Sequence, residues 1–216
     1  MTYFTEDFIQ FFNDLEKNNN QEWFHNHQKS YETNVKKPMQ RLLTDLIAEL
    51  QKYDIEIDVD PKKCIGRINR DIRFSKDKTP YNVRSMAHIY KGSEPEPIPV
   101  IAFQLGANEI AIMSGYYNPS KEKISSIRDK IKTDTAAFKK IYSDKEFISK
   151  FGTICGDRLK RIPEAYKATF EQEPIVANNQ FYYVNKLKPE LLLTEELLPS
   201  IIDHYKAAKP LNEFFS

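Results

Sequence analysis

The chain has little of several things. It holds two cysteines, six glycines and one tryptophan in 216 residues, and its net charge is only +1. Two cysteines far apart in sequence, Cys64 and Cys155, make no zinc site and exclude a disulfide-stapled scaffold. They read as buried thiols of a reducing compartment, so a cytoplasmic location is expected. Few glycines exclude a collagen-like or low-complexity chain. The balanced charge excludes a general nucleic-acid coat, which would be strongly basic. No apolar run approaches the length of a membrane span, so no membrane association is expected. The start, MTYFTEDFIQFFNDL, is acidic and lacks a basic leader and small-residue cleavage site, so no signal peptide is expected. No GxSxG, HExxH, Walker or GxGxxG pattern occurs.

What remains is an ordinary globular composition, 29% charged and 12% aromatic, long enough to bury a core. The first fifty residues read as helices. Thr5 is placed to cap a helix with Phe8, Phe11, Phe12 and Leu15 on one face. Asn19 with Glu22 resembles a capping box for a second helix, with the stripe Trp23, His27 and Tyr31. Met39, Leu42, Leu43, Leu46, Ile47 and Leu50 keep the helical period after Pro38.

The pattern then changes. Ile55, Ile57 and Val59 alternate with Glu56, Asp58 and Asp60, which predicts a strand. Apolar runs follow at 63–74, 83–90, 98–106 and 109–115, the last two joined by a hairpin turn at 106–109. Helices return after Asn118-Pro119, which reads as a cap followed by proline at the first helical position. Ile124, Ile127 and Ile131 form its buried stripe. Ser143 with Glu146 reads as another capping box. A strand is predicted at 180–187, and Thr194 starts a final helix with Leu197, Leu198, Ile201, Ile202 and Tyr205 inward. Helices, strands, then helices predict a single α+β domain over 1–216, a central antiparallel sheet flanked by N-terminal and C-terminal helices.

One segment stands out. Arg67 to Tyr81 reads RINRDIRFSKDKTPY, with Arg67, Arg70, Arg73, Lys76 and Lys78 opposed only by Asp71 and Asp77. If 64–74 is a strand, Arg70 shares a face with Ile68, Ile72 and Phe74. A guanidinium among apolar neighbours needs an anionic partner, either a protein carboxylate or a ligand. Ser75, Lys76, Lys78 and Thr79 follow in a loop, and Pro80 keeps Thr79 extended. Arginine suits two-pronged contact with phosphate or carboxylate, and lysine adds a mobile charge. The alternative is a salt-bridge network that pins a loop.

Secondary signals are weaker. The helix start in SGYYNPSKEKISSIR is a generic anion site, with Arg128 one turn beyond Ile124. GDRLKRIPEAY adds Arg158, Lys160 and Arg161, on a pocket rim or a solvated surface. His25 and His27 are two apart on a helix and make a poor metal pair. Glu56, Asp58 and Asp60 lack a calcium loop around them. His88 reads as a core histidine. No metal site and no catalytic group is predicted, and no cofactor is named.

Taken together, the chain resembles the bacterial and fungal family known as Domain of Unknown Function 2461. The resemblance rests on RINRDIRFSKDKTPY, supported by NNQEWFHNHQKSYE, GYYNPSKEKISSIRDKI and GDRLKRIP, in order over nearly the whole chain. Two positions depart from it: Asn82 stands where a lysine is expected, and Glu164-Ala165 where a glycine is expected. The resemblance implies a compact α+β domain and no activity. It favours Arg70, Arg73, Lys76, Lys78 and Tyr81 as a shared site.

Three functions are compatible with these residues. The first is a cytoplasmic domain binding a phosphate- or carboxylate-bearing small molecule, with Arg70 and Arg73 as main contacts, Lys76 and Lys78 closing over the ligand, Tyr81 as a wall, and Arg128 and Arg161 on the far side. The second is a nucleic-acid-binding module using Phe74, Tyr81, Tyr116 and Tyr117 for stacking. The third is a structural or protein-interaction module with the basic segment as internal bracing.

Overall fold

The computed structural model describes residues 1–92 and 97–216. Four strands, β1 (Arg84–Lys91), β2 (Ile98–Gly106), β3 (Ile110–Tyr116) and β4 (Phe181–Leu187), form one antiparallel sheet in the order β1-β2-β3-β4. With the helices below, this is an α+β fold. The chain divides into two compact units. The first comprises Met1–Gly92, Ala102–Ile112 and Lys186–Ile202; the second, of its described residues, comprises 97–101, 113–185 and 203–216.

The first unit opens with α1 (Glu6–Lys17), whose buried face is Phe8, Phe11, Phe12 and Leu15. Acidic residues in its first turn and Lys17 in its last favour the helix dipole. Thr5 takes the cap position but makes no capping bond; its hydroxyl donates to Asp7 instead. The short helices α2 (Gln21–Asn26) and α3 (Gln28–Tyr31) follow. The cap of α2 is Asn20, whose side chain accepts from the Trp23 amide, and not Asn19. After a π-turn, α4 (Lys37–Leu50) buries Met39, Leu42, Leu43, Leu46, Ile47 and Leu50, as its period predicts.

The strand expected at 55–59 does not form. Ile57 is buried while Ile55 is 87% exposed, so the alternating residues do not share a covered face. The acids are used otherwise. Asp54 and Glu56 hold the Lys91 ammonium at 2.7 and 3.2 Å. Asp60 caps α5 (Pro61–Cys64) by accepting from the Lys62 amide. The β2–β3 turn closes where expected, with the Gly106 amide donating to the Glu109 carbonyl.

In the second unit, α6 (Lys121–Thr133), α7 (Thr135–Tyr142), α8 (Lys145–Phe151) and α9 (Lys167–Gln172) lead to β4; α10 (Leu197–Phe215) has its first six residues in the first unit and the rest in the second. Ile127, Ile131, Phe138, Phe147, Phe151, Phe181, Tyr183, Leu211 and Phe215 make one buried cluster. The caps again lie beside the expected residues. Ser120 caps α6, two residues beyond Asn118; Asp144 caps α8 in place of Ser143; α10 begins at Leu197, three residues after Thr194. Several neighbouring side chains in each stretch can accept an amide hydrogen bond, and packing selects one of them. A buried polar chain runs through this core. Asn212 donates to Ser114 Oγ at 2.8 Å and accepts the Tyr183 hydroxyl, and Ser114 donates to the Val100 carbonyl at 2.9 Å.

Candidate functional site

Residues 64–74 are not a strand. Two isolated antiparallel bridges, Ile65 with Ala87 and Asn69 with Tyr81, tie this segment to β1 and to the residues that lead into it. On either side of the second bridge, the Asn82 amide donates to the Ile68 carbonyl and the Arg70 amide to the Pro80 carbonyl, both at 2.8 Å. The result is a narrow ribbon whose outer loop is residues 71–79. We call residues 69–81 the arm. Its extended return leg is what proline at 80 requires of its predecessor.

Arg70 is accordingly not a guanidinium on an apolar face. Its Nη1 donates to Asp77 Oδ2 at 2.6 Å, to the Thr79 carbonyl at 3.0 Å and to the Thr79 hydroxyl. The Asp77 carboxylate also accepts from the Thr79 amide at 2.9 Å. That amide, the Arg70 guanidinium and the Thr79 hydroxyl hold the Asp77 carboxyl at about 2, well below the usual carboxylate range. The anion that Arg70 calls for is thus inside the loop. Arg73 forks onto Asp71 at 2.9 and 2.7 Å. Lys78 donates to the Ile72 carbonyl at 2.9 Å. Lys76 and Arg67 are exposed and have no ion-pair partner among the described residues.

The apolar side chains also depart from the expected face. Phe74 is 95% exposed, with the Arg73 guanidinium 5.9 Å from its ring centre. Ile68 and Ile72 are half-buried.

The base of the arm rests on the first helices. Asn19 donates to the Tyr81 carbonyl at 2.9 Å and accepts the Tyr81 amide at 3.0 Å. The Tyr81 ring stacks on Phe24, centroids 4.2 Å apart at 20°. Phe24 in turn meets Phe11 and Tyr31. Asn19 and Phe24 went unnoticed in the sequence as partners of the arm. A signal was present: three asparagines, Asn18 to Asn20, run between α1 and α2, and with Asn18 ending α1 and Asn20 capping α2 the middle one is left for tertiary use. Asn82, the departure from the expected lysine, donates to the Arg67 carbonyl at 3.2 Å and so adds to the ribbon.

The seven expected site residues divide between the units. Arg70, Arg73, Lys76, Lys78 and Tyr81 are together in the first; Arg128 and Arg161 belong to the second. Arg128 is buried on α6 and committed to backbone. Its Nε donates to the Val176 carbonyl at 3.0 Å, and its Nη2 to the Asn178 carbonyl at 2.9 Å and Asn179 Oδ1 at 3.0 Å. Burial lowers its pKa. Arg161 is exposed. Of the tyrosines expected to stack bases, Tyr116 is buried, with the Lys123 ammonium 4.9 Å over its ring, and Tyr117 packs edge-on against Tyr182. The Glu164-Ala165 departure falls in a 3-10 turn, Glu164–Tyr166.

A hollow of about 620 Å³ in the second unit does not suit an anion: it is lined by Glu122, Asp129 and Asp134 against Lys130. Among the described residues no cluster of histidine, cysteine and carboxylate side chains could hold a metal ion. His88 is half-buried on β1 beside Tyr90 rather than in the core, and burial lowers its pKa. No helix among the described residues is long and apolar enough to cross a membrane.

No curated protein and no solved structure matches the chain. A family model does, that of the conserved hypothetical protein DUF2461, over residues 7–214. This span takes in the arm, the helices it rests on and nearly all of both units, and the chain belongs to the DUF2461 family.

Proposed function

We propose that this protein is a cytoplasmic binding module that engages a phosphate- or carboxylate-bearing partner through the arm. The observation that carries this reading is the state of the arm's charges. Counting Arg67 just before it, five cations face two acids, and both acids are spent on Arg70 and Arg73. Among the described residues, Arg67, Lys76 and Lys78 pair with no carboxylate. Arg70 is a brace rather than a contact, since all its bonds return to its own loop. Arg73 is available, because an exposed ion pair contributes only about 0–1 kcal/mol and exchanges readily for a stronger anion. The base is fixed by Asn19 and Phe24, so part of the ordering cost of binding is met before the partner arrives. Two free thiols, Cys64 and Cys155, support a reducing compartment. No reaction is assigned.

The test is binding to inorganic polyphosphate at low and high salt. Wild type should bind at low salt and release as salt rises, and the double variant Lys76→Ala/Lys78→Ala should bind at least several-fold more weakly. Absence of binding at low salt, or binding indifferent to the double variant, overturns the proposal.

A further inference from the structure

Phe74 is the least explained side chain of the arm. A phenylalanine ring left in water forgoes the stabilisation that burial would give it. Here the ring is 95% exposed, so the fold gives it no walls, while the loop around it is tied at Asp77, Thr79, Asp71 and the Ile72 carbonyl. The arm therefore holds out an uncovered aromatic face among cations. Resting on the reading of the arm as an anion-binding element, we propose that its partner is a single-stranded nucleic acid, one base of which stacks on Phe74 while neighbouring phosphates meet Lys76, Lys78, Arg73 and Arg67.

Each part of this arrangement has a physical counterpart in single strands. Every base has a flat apolar face, and stacking on an aromatic ring needs no sequence-specific contact. A duplex hides those faces between its pairs, so the arm has only the backbone of a duplex to touch. A small anion offers the cations a partner but leaves Phe74 uncovered, and ligands of that size are held in concavities. A membrane surface offers both charge and apolar depth, but one ring is a small anchor: even a fourteen-carbon acyl chain binds membranes only marginally. The near-neutral chain limits the electrostatic reach to the arm itself. With three uncompensated cations, and Arg73 as a fourth, single-strand binding should show a salt slope of about −2 to −3, using roughly −0.7 per phosphate neutralised.

The experiment is fluorescence anisotropy of labelled single-stranded oligonucleotides, with the matching duplex, inorganic polyphosphate and phosphatidylserine vesicles as comparisons. Wild type, Phe74→Ala, Phe74→Tyr and Lys76→Ala/Lys78→Ala would be run together. Because Phe74 is exposed, its variants keep the fold, which thermal melting checks. The expected result is preference for single strand over duplex, a loss on the order of 5- to 150-fold in Phe74→Ala with recovery in Phe74→Tyr, and polyphosphate binding unchanged by either Phe74 variant. Equal binding of duplex and single strand, or indifference of oligonucleotide binding to Phe74→Ala, overturns the inference. If polyphosphate binding is then still lost in the double lysine variant, the anion-binding reading survives it. Vesicle binding that depends on Phe74, without oligonucleotide binding, overturns the inference in favour of a membrane surface. Absence of binding to every polyanion overturns both.

Discussion

Asn19 brackets the backbone of Tyr81, giving a hydrogen bond to its carbonyl and taking one from its amide across 62 residues of sequence. One side-chain amide thereby imitates the pairing of a neighbouring strand and anchors the return leg of the arm. Removing it in Asn19→Ala strips both half-buried groups of their partner, at a cost of about 1–3 kcal/mol. The urea midpoint should fall accordingly. Amide exchange should quicken at Tyr81 and at Arg70, whose amide bonds to the neighbouring Pro80 carbonyl. Unchanged exchange at Arg70 would show that the ribbon holds without its anchor. In Asn19→Asp the carboxylate still accepts from the Tyr81 amide but cannot donate to its carbonyl, so that variant should fall between the two.

The Asp77 carboxyl supplies a pH test. Its folded value, about 2, lies below the ordinary carboxylate value. A depressed folded value means a contribution fully present above the unfolded pKa and lost as pH falls through the folded one. The arm should therefore keep its closed loop down to about pH 4 and open progressively toward pH 2. Carbon-13 chemical shifts of the Asp77 carboxyl should titrate with a midpoint near 2, and the Thr79 amide should move with it. In Arg70→Ala the midpoint should rise but stay below the ordinary value, because the Thr79 amide, the largest cause of the depression, is still there. A midpoint unmoved by Arg70→Ala would mean that the ion pair does not form in solution.

Arg128 tests structural use of a residue that the sequence offers as a ligand contact. Its guanidinium fork satisfies the carbonyls of Val176 and Asn178 and the Asn179 side chain from within a buried site. Arg128→Ala should lose about 2–4 kcal/mol, given roughly 1.5–3 kcal/mol per hydrogen bond from a charged donor and partial rescue by water. Arg128→Lys keeps the charge but not the planar fork and should recover less than half of the loss. Chemical denaturation of the three proteins decides it; a neutral Arg128→Ala would sink the bracing role.

Two glycines separate backbone strain from crowding. Gly115 has φ 84°, and a Cβ there would lie 2.3 Å from the Phe181 carbonyl oxygen and 3.0 Å from Tyr182 Cα, both backbone atoms that cannot step aside. Gly92 has φ 79° with nothing within 4 Å of a Cβ. Gly92→Ala should cost only the left-handed conformation, about 1–2 kcal/mol. Gly115→Ala adds overpacking, for a total of about 2–5 kcal/mol. Melting temperatures of the pair should differ by several degrees, with Gly115→Ala the lower; equal values would mean that β3 and β4 can part at no cost.

Helical periodicity was legible wherever a long amphipathic run existed. The apolar positions of α1 and α4 are buried as their spacing requires, and so are Ile127 and Ile131 of α6, with Ile124 half-buried beside them. Caps were less legible. Asn20, Ser120 and Asp144 each sit next to or near another good cap, and local chemistry alone does not rank them. Alternation misled at 55–59 and at 64–74. In the first, the acids bind Lys91 and cap α5. In the second, the chain turns back on itself through Asp77 and Thr79, so that Phe74 points to water while Arg70 turns inward to its own loop.

The sequence by itself determined the α+β class, the family and the place where cations accumulate. Composition, period and motif order are properties of neighbouring residues, and those were enough for these conclusions. Only the tertiary structure decided which of those cations are already spent. It assigned Arg70 to Asp77 and Thr79, left Lys76 and Arg67 free of carboxylate partners among the described residues, uncovered Phe74, and brought Asn19 to Tyr81. The reason is physical: a hydrogen bond or a covered ring depends on where chain segments meet in space. Arg70 pairs with Asp77, seven residues on, and not with the adjacent Asp71, and of the neighbouring asparagines only Asn19 reaches Tyr81; such residues become different only when the fold brings a partner to one of them.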